Sequence, residues 1–453
     1  MAATDWYCFG GTEIINSART HAYASRGLKP VHLQVQDCGC PGLAGMLEDE
    51  PYTLPSDDGA PWYDPGLPES ADFAGVLLLD VKGLDSAPIE RPVRQRAGDG
   101  AVFGRPRYLP REIVFTGIAI GRTSCAIDYG IKWLSSALQG SLACGDDCGG
   151  GDDLDYLSCC PTVAGTPGTP CGPGSGAGGS CPGPCDHPDC AELAWRTLRN
   201  VALTRSPEVV EQFGGACQCC PGVAKVVQWT LTAARPHALR APVEVARRVT
   251  WPASSGEEEE CVTWTTGDTC LDDEGQCAAA QLQPCVLDPR CPPPTLPELP
   301  VPPNPCLCEP WSRREVCVPI PPQAAPIWSD TVPVMEIYSG ALPLRGVRVR
   351  FVPNPLGLPA DQLDQCGACA ELNVSYLPPG STFVLDGTRR LAAVRCPGRA
   401  ETPAGAIVSG EGGLPYTWPV LECGAPYMAC ISADSESIAE DASVSLWTVV
   451  REV

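Results

Sequence analysis

Apolar side chains recur at every second position along much of this chain. Val227, Trp229, Leu231 and Ala233 alternate with Gln228, Thr230 and Thr232; Val347, Val349 and Phe351 flank Arg348 and Arg350; Leu372, Val374 and Tyr376 flank Asn373 and Ser375. Period two puts one face of a strand in a core and the other in water, so each run predicts a half-buried β-strand. Further strands are expected over 28–35, 75–81 and 111–120, the last with Ile113, Phe115, Ile118 and Ile120 buried, and around Leu198, Val201 and Leu203. Residues 383–394 read as a hairpin turning at Asp386-Gly387, and 444–450 as another strand. One segment has a different period. After a turn at Gly121-Arg122, Ser124 is placed to cap a helix in which Ile127, Ile131, Leu134 and Leu138 recur at helical spacing beside Trp133. The expected fold is mainly β, with one amphipathic helix packed on a sheet.

Two stretches carry neither period. Residues 144–190 hold Asp/Gly clusters and then TPGTPCGPGSGAGGSCPGPC. A phosphate-cradling glycine loop needs a strand before it and a helix after it, so this run reads as a surface insertion. Its acids Asp146, Asp147, Asp152, Asp153 and Asp155 lack the order of a calcium loop and read as solvated turn residues. The second stretch, 252–333, contains DPRCPPPTLPELPVPPNPC, and fifteen of the 43 residues from Pro284 to Pro326 are proline. Too few backbone donors remain for a helix or a central strand, which leaves a stiff extended connector. The boundaries that follow are an N-terminal β domain over 1–143 and 191–251, the insertion at 144–190, the connector at 252–333, and a C-terminal β-sandwich over 334–453.

Charge removes one class of partner. With 31 basic against 54 acidic residues the net is −23, and the pairs Arg247/Arg248, Arg313/Arg314 and Arg389/Arg390 are too dispersed for a phosphate-binding stripe. Stable nucleic-acid binding is not expected. The N-terminus has no charged start followed by an apolar run, and no window reaches the ~18 to 20 apolar residues of a membrane span. Synthesis in a cytosol is therefore expected, which collides with 28 cysteines, nineteen of them between Cys144 and Cys317.

Two chemistries compete for those cysteines: disulfides formed in an oxidising exterior, and zinc held in a reducing cytosol. Cys181, Cys185, His187 and Cys190 supply three thiolates and an imidazole, a tetrahedral zinc set without the paired knuckles of a finger. Cys285, Cys291, Cys306, Cys308 and Cys317 are candidates for staples joining the connector to itself or to the flanking domains, and Cys366 with Cys369 for a turn disulfide or two loop thiols. The balance falls on no cofactor, with structural zinc as the alternative. No enzyme is expected. The four histidines, His21, His32, His187 and His237, have no nucleophile in sequence reach, and the acids Glu48 to Glu50 and Asp57-Asp58 read as loop carboxylates. Tyr416, Trp418 and Tyr427 are weighed as a sugar-stacking platform on the C-terminal sandwich against the plainer reading of core or interface aromatics.

Ordered segments carry a family resemblance. RQRAGDGAVFG (94–104), the strand from Arg111 to Gly121 and the helix ending Trp133-Leu134-Ser-Ser-Ala-Leu138 resemble the N-terminal ring-forming domain of siphophage distal tail proteins. The block from Arg199 to Pro207 and the run DPRCPPPTLPELPVPP resemble minor tail proteins of phages infecting actinobacteria. Pro353-Asn354-Pro355 through the strand Ser381 to Leu385 and Asp386 resembles the galectin-like β-sandwich of distal tail proteins. The resemblance implies a homo-hexameric ring at the tail tip of a virion made in a host cytoplasm. Such a ring links the tail tube to the hub and receptor-binding apparatus. The partners it implies are the tail tube protein, the tape measure protein, the tail hub and other minor tail proteins, with genome passing through the lumen without being gripped. Ring contacts would fall on Arg94, Arg96, Asp99, Gly100, Phe103 and Arg111. The alternatives are a carbohydrate-binding host-recognition module contacting a surface glycan, and a secreted disulfide-rich structural protein.

Overall fold

The structure, a computed structural model, describes residues 6–29, 43, 47, 51–140, 151–158, 194–213, 224–252, 261–262, 309–310, 313–322, 329–363, 368–410, 413–421 and 425–452. The chain divides into two compact units, 1–241 with 450–453, and 242–449. The fold is mainly β, with one long helix packed on a sheet.

The first unit contains β1 (Trp6–Phe9), β2 (Thr12–Asn16), α1 (Ser17–Ser25), α2 (Pro68–Ala71), β3 (Phe73–Lys82), β4 (Ile89–Glu90), β5 (Val93–Gln95), β6 (Ala101–Phe103), β7 (Arg107–Tyr108), β8 (Arg111–Gly121), α3 (Ser124–Ala137), β9 (Asp152–Leu157), β10 (Trp195–Phe213), β11 (Ala224–Ala233) and β12 (Ala238–Leu239). Its strands pair in the order β2-β1-β9-β10-β11-β8-β3. β10 is long enough to serve β9 with its first half and β11 with its second, and shifts of register along it mark local irregularities that raise twist. The sheet folds over on itself: Tyr7 of β1 meets Phe115 of β8 edge-on at 5.2 Å although three strands separate them in pairing order, and Phe115 stacks on Trp229 of β11 at 5.2 Å.

α3 begins one residue earlier than the sequence suggests. Thr123, in extended conformation, is the cap, its Oγ1 accepting from the Ala126 N–H at 3.1 Å, and Ser124 is the first helical residue. Ile127, Leu134 and Leu138 are buried, and Ile131 and Trp133 pack against the same core from its margin. Gly130 allows the close approach, because a Cβ there would overlap the ring of Phe73 on β3. The 111–120 strand is β8, with Ile113, Phe115 and Ile120 buried and Ile118 half-buried.

Two expectations for this unit are corrected. Leu28 is not in a strand: its N–H bonds to the Tyr23 carbonyl in the turn that ends α1, where Gly27 takes a positive φ; residues 30–35 lie outside the described residues. Residues 152–157 are not turn acids of an insertion but strand β9, between β1 and β10. Leu154, Tyr156 and Leu157 supply its buried positions, and Asp155 is held by the Thr197 hydroxyl at 2.5 Å. Aspartate is a poor strand residue, and here pairing on both sides outweighs propensity. Asp146 and Asp147 lie outside the described residues.

The second unit contains β13 (Val243–Thr250), β14 (Cys261–Val262), β15 (Glu309–Pro310), β16 (Arg313–Ile320), β17 (Asp330–Tyr338), β18 (Leu344–Pro353), β19 (Ala370–Leu377), β20 (Thr382–Asp386), β21 (Leu391–Arg395), β22 (Thr402–Pro403), β23 (Val408–Ser409), β24 (Tyr427–Asp434) and β25 (Ser443–Glu452), the end of β25 counting with the first unit. A sheet ordered β16-β24-β18-β19-β23 and a second ordered β13-β25-β17-β20-β21-β22 close over one core. Val349, Phe351, Leu372 and Ile431 come from the first, Met335, Ile337, Phe383 and Leu446 from the second. This is a β-sandwich. The β20–β21 hairpin turns where expected, with Asp386 accepting from the N–H groups of Thr388 and Arg389.

Here too the boundaries move. β13 belongs to the sandwich, because Val243–Thr250 pairs with β25. The proline-rich connector does contain sheet: β16 pairs with β24 from Arg313↔Asp434 to Ile320↔Tyr427 despite Pro319. β16 is an edge strand, where a missing N–H on the open side costs no ladder bond. Tyr376 is 43% exposed rather than a core residue.

Candidate functional site

Between β3 and β8 the chain leaves the first unit's core as a hairpin arm. Gly83, at φ +83°, makes the turn out of β3, and any side chain there would strike the Glu112 carbonyl. Leu84 and Ala87 are buried at the base; beyond them residues 88–109 are almost wholly exposed. The arm has two short ladders, β4 with β7 and β5 with β6. Pro92 and Pro106 stand between them and cannot donate, but their surroundings stay tied: Gly104 N–H bonds to the Pro92 carbonyl at 2.7 Å and Leu109 N–H to the Pro88 carbonyl at 2.9 Å. Arg107 adds a two-nitrogen contact to Glu90 Oε2 at 2.8 and 2.6 Å. The Tyr108 ring meets His237 edge-on at 5.4 Å, which steadies the base.

What the arm offers is chemically mixed. Ile89, Val93, Val102, Phe103 and Tyr108 are all exposed, Phe103 by 65% and Val93 by 59%, and five arginines, Arg91, Arg94, Arg96, Arg105 and Arg107, stand against Glu90 and Asp99. A two-stranded hairpin is marginal by itself in water, and clustered exposed apolar side chains mark a surface for association. Of the sequence candidates, Arg94, Arg96, Asp99, Gly100 and Phe103 are exposed on this arm. Arg111 is not a surface contact: it is 1% exposed, and its Nη1 donates to the Leu84 carbonyl at 2.8 Å. Its position at the first residue of β8, under the arm's base, makes it an anchor inside the fold.

The other candidates fall elsewhere. Cys181, Cys185, His187 and Cys190, and Cys285, Cys291, Cys306, Cys308 and Cys366, lie outside the described residues, as do His32 and Glu48 to Glu50. Cys369 donates its thiol hydrogen to the Phe351 carbonyl, Sγ to O 3.2 Å. Cys317, a residue of the expected connector, is bonded to Cys430 of the sandwich, which ties β16 to β24. Asp58 is structural: burial would raise its carboxyl, but the side-chain and backbone donors of Thr53 hold it below the ordinary value. No flat aromatic platform forms at Tyr416, Trp418 and Tyr427. Tyr427 is buried, the Tyr416 and Trp418 rings lie at 69° to one another and pack against the sandwich core, and burial pushes the Tyr416 hydroxyl well above its usual pKa.

Sequence reasoning gave no sign of Glu452. Arg196 donates to it through Nε at 2.8 Å and Nη2 at 3.1 Å, and Arg240 through Nε at 2.8 Å and Nη2 at 2.6 Å. Glu452 sits opposite Ala238 in the β12–β25 pair, so one carboxylate fastens the end of β25 beside β12 and β10. A charge at the end of a strand pattern is an ordinary solvent position, and only pairing across 256 residues reveals the contact. Among the described residues no helix is long and apolar enough to cross a membrane.

No protein-family model matches this chain, and no curated protein sequence matches it. Among solved structures, the chain is similar to the Dit protein of phage SPP1, described as a paradigm of the hub adsorption apparatus in phages infecting Gram-positive hosts. The identity is 12% and the TM-score 0.36, over 85% of this chain and 96% of that one. It is also similar to a chain of the phage P2 baseplate in its activated conformation with Ca, at 10% identity and a TM-score of 0.34, over 83% of this chain and 90% of that one. These scores and identities are too low for a role to be read from them.

Proposed function

We propose that this chain is a structural component of a bacteriophage tail tip, assembling through its first unit into a ring that links the tail tube to the hub and receptor-binding apparatus. The observation that carries the reading is the arm at 88–109: an exposed hairpin with five apolar and five guanidinium side chains, standing outside its own core. It coincides with the segment on which the sequence resemblance places ring contacts. The strong acidic balance suits a lumen that passes nucleic acid by repulsion.

Two preparations test it. Full-length protein at micromolar concentration, viewed by negative-stain electron microscopy and by light scattering after gel filtration, is expected to give a closed ring. The Phe103→Glu variant is expected to run as a monomer with its thermal midpoint unchanged, because Phe103 supports no core. A wild-type chain that stays monomeric at every salt concentration tried defeats the ring reading.

A further inference from the structure

Away from the arm, three metal-ligating groups meet in the sandwich: Glu315 and Cys317 on β16 and Cys430 on β24, their ligand atoms all within 4.8 Å of one another. Register explains the meeting. Cys317 lies directly across from Cys430, Cα to Cα 4.1 Å, and Glu315, two residues back, is on the same face as Cys317. On the other side of β24, Arg350 of β18 lies opposite Cys430, and its Nη2 donates to Glu315 Oε1 at 3.2 Å. Cys430 has 0% exposure and Cys317 is half-buried, so the patch opens to solvent on the Cys317 and Glu315 side.

We propose that, when the Cys317–Cys430 bridge is reduced, the two thiolates and the Glu315 carboxylate hold one thiophilic divalent cation, with zinc as the type. The same residues would thus form a metal site in a reducing compartment and a disulfide in an oxidising one. Two sulfurs and one carboxylate oxygen are a zinc donor set, with the fourth tetrahedral position left to water on the open side. Charge favours it. Two thiolates and one carboxylate are offset by the dication together with Arg350, so the cluster as a whole is neutral, which a half-buried patch tolerates far better than a net charge. Arg350 also orients the ligating carboxylate, the usual task of a group behind a metal ligand.

The exchange between the two states balances with a small disulfide as oxidant. One thiolate attacks it to form a mixed disulfide and expels a thiolate. The second cysteine then attacks the mixed disulfide, the Cys317–Cys430 bond forms, a second small thiolate leaves, and the cation is released. Two electrons pass from the protein sulfurs to the reagent, whose two thiolates take up two protons. The inference does not depend on a role in a phage tail.

The test uses the full-length chain, reduced and kept under nitrogen, with zinc alone as the probe. The alkylation rate of each cysteine is read by peptide mass spectrometry with and without one added equivalent. Zinc is expected to slow alkylation of Cys317 by about tenfold or more, leaving the exposed Cys125 of α3 unaffected. The protection should vanish in Cys430→Ser. It should weaken by about tenfold in Glu315→Gln, which keeps both sulfurs and so does not depend on the bridge variant folding. Equal Cys317 rates with and without zinc, equal protection of Cys125, or undiminished protection in Cys430→Ser would each overturn the proposal. So would rapid alkylation of Cys430 before zinc is added, since the strand pair would then not survive reduction.

Discussion

At the scale of single residues, Glu452 is held by two guanidiniums at once. Burial alone would raise its carboxyl, but hydrogen bonds from Arg196 and Arg240 and the charges of both outweigh burial and hold it below the ordinary carboxylate value. Side-chain exposure is 19% for Glu452, 6% for Arg196 and 14% for Arg240, so water screens these contacts weakly. A folded pKa below the unfolded one means stability that is fully present above the unfolded carboxylate value and lost as pH falls through the folded one. Glu452→Gln is therefore expected to destabilise the chain by about 2 to 4 kcal/mol at neutral pH, because the buried Arg196 and the half-buried Arg240 lose their counter-charge. The variant should also show a flatter acid limb in a plot of thermal midpoint against pH. An unchanged midpoint at neutral pH would mean that the arginines find other partners. Arg111 makes the opposite point about exposure and charge. An arginine opening a strand reads as a surface residue, yet here it lies beneath a loop whose carbonyl it satisfies.

At the scale of elements, the helix α3 offers the plainest measurement. Leu134 is wholly buried against the folded sheet, and Leu134→Ala is expected to cost about 2 to 5 kcal/mol in denaturant unfolding, the usual range for a leucine cavity. A loss under about 1 kcal/mol would mean that the site collapses around the smaller side chain. α3, β8, β11, β18 and the β20–β21 hairpin were legible in the sequence because their periodicity is long and their turn residues are specific. β9 was hidden for a physical reason. Its six residues include three aspartates, and the Gly/Asp sequence before it carries no periodicity, so the buried positions at Leu154, Tyr156 and Leu157, the last two adjacent, give too short an alternation to outweigh composition. β16 was hidden by proline, which forbids a central strand but not an edge one. Of the candidate site, the sequence drew attention to 94–104 only through the resemblance, and neither the hairpin nor its isolation was legible. Exposure on both faces of a hairpin depends on what fails to pack against it, and Val93 and Phe103 have the same side chains as core residues.

At the scale of the whole molecule, charge is unevenly divided. Residues 88–109 carry five arginines against two acids, which leaves 26 basic and 52 acidic residues in the rest of the chain. Two copies that approach one another therefore feel opposed effects. Their bodies repel over long distances, and a basic arm attracts any acidic surface it reaches at close range. Screening separates the two, since the Debye length is about 30 Å at 0.01 M salt, about 8 Å at 0.15 M and about 3 Å at 1 M. At the lowest salt the bodies still repel across tens of ångströms and should hold copies apart. Near 0.15 M that repulsion is screened while contacts a few ångströms long survive, and at 1 M the contacts are screened too. Self-association of the full chain, followed by sedimentation velocity, is therefore expected to pass through a maximum at intermediate salt. Arg94→Glu with Arg96→Glu should remove the fall at high salt along with most of the association. A monotonic rise with salt in the wild type would assign the contact to Val93, Phe103 and their apolar neighbours alone, with the arginines serving only to keep the arm in water.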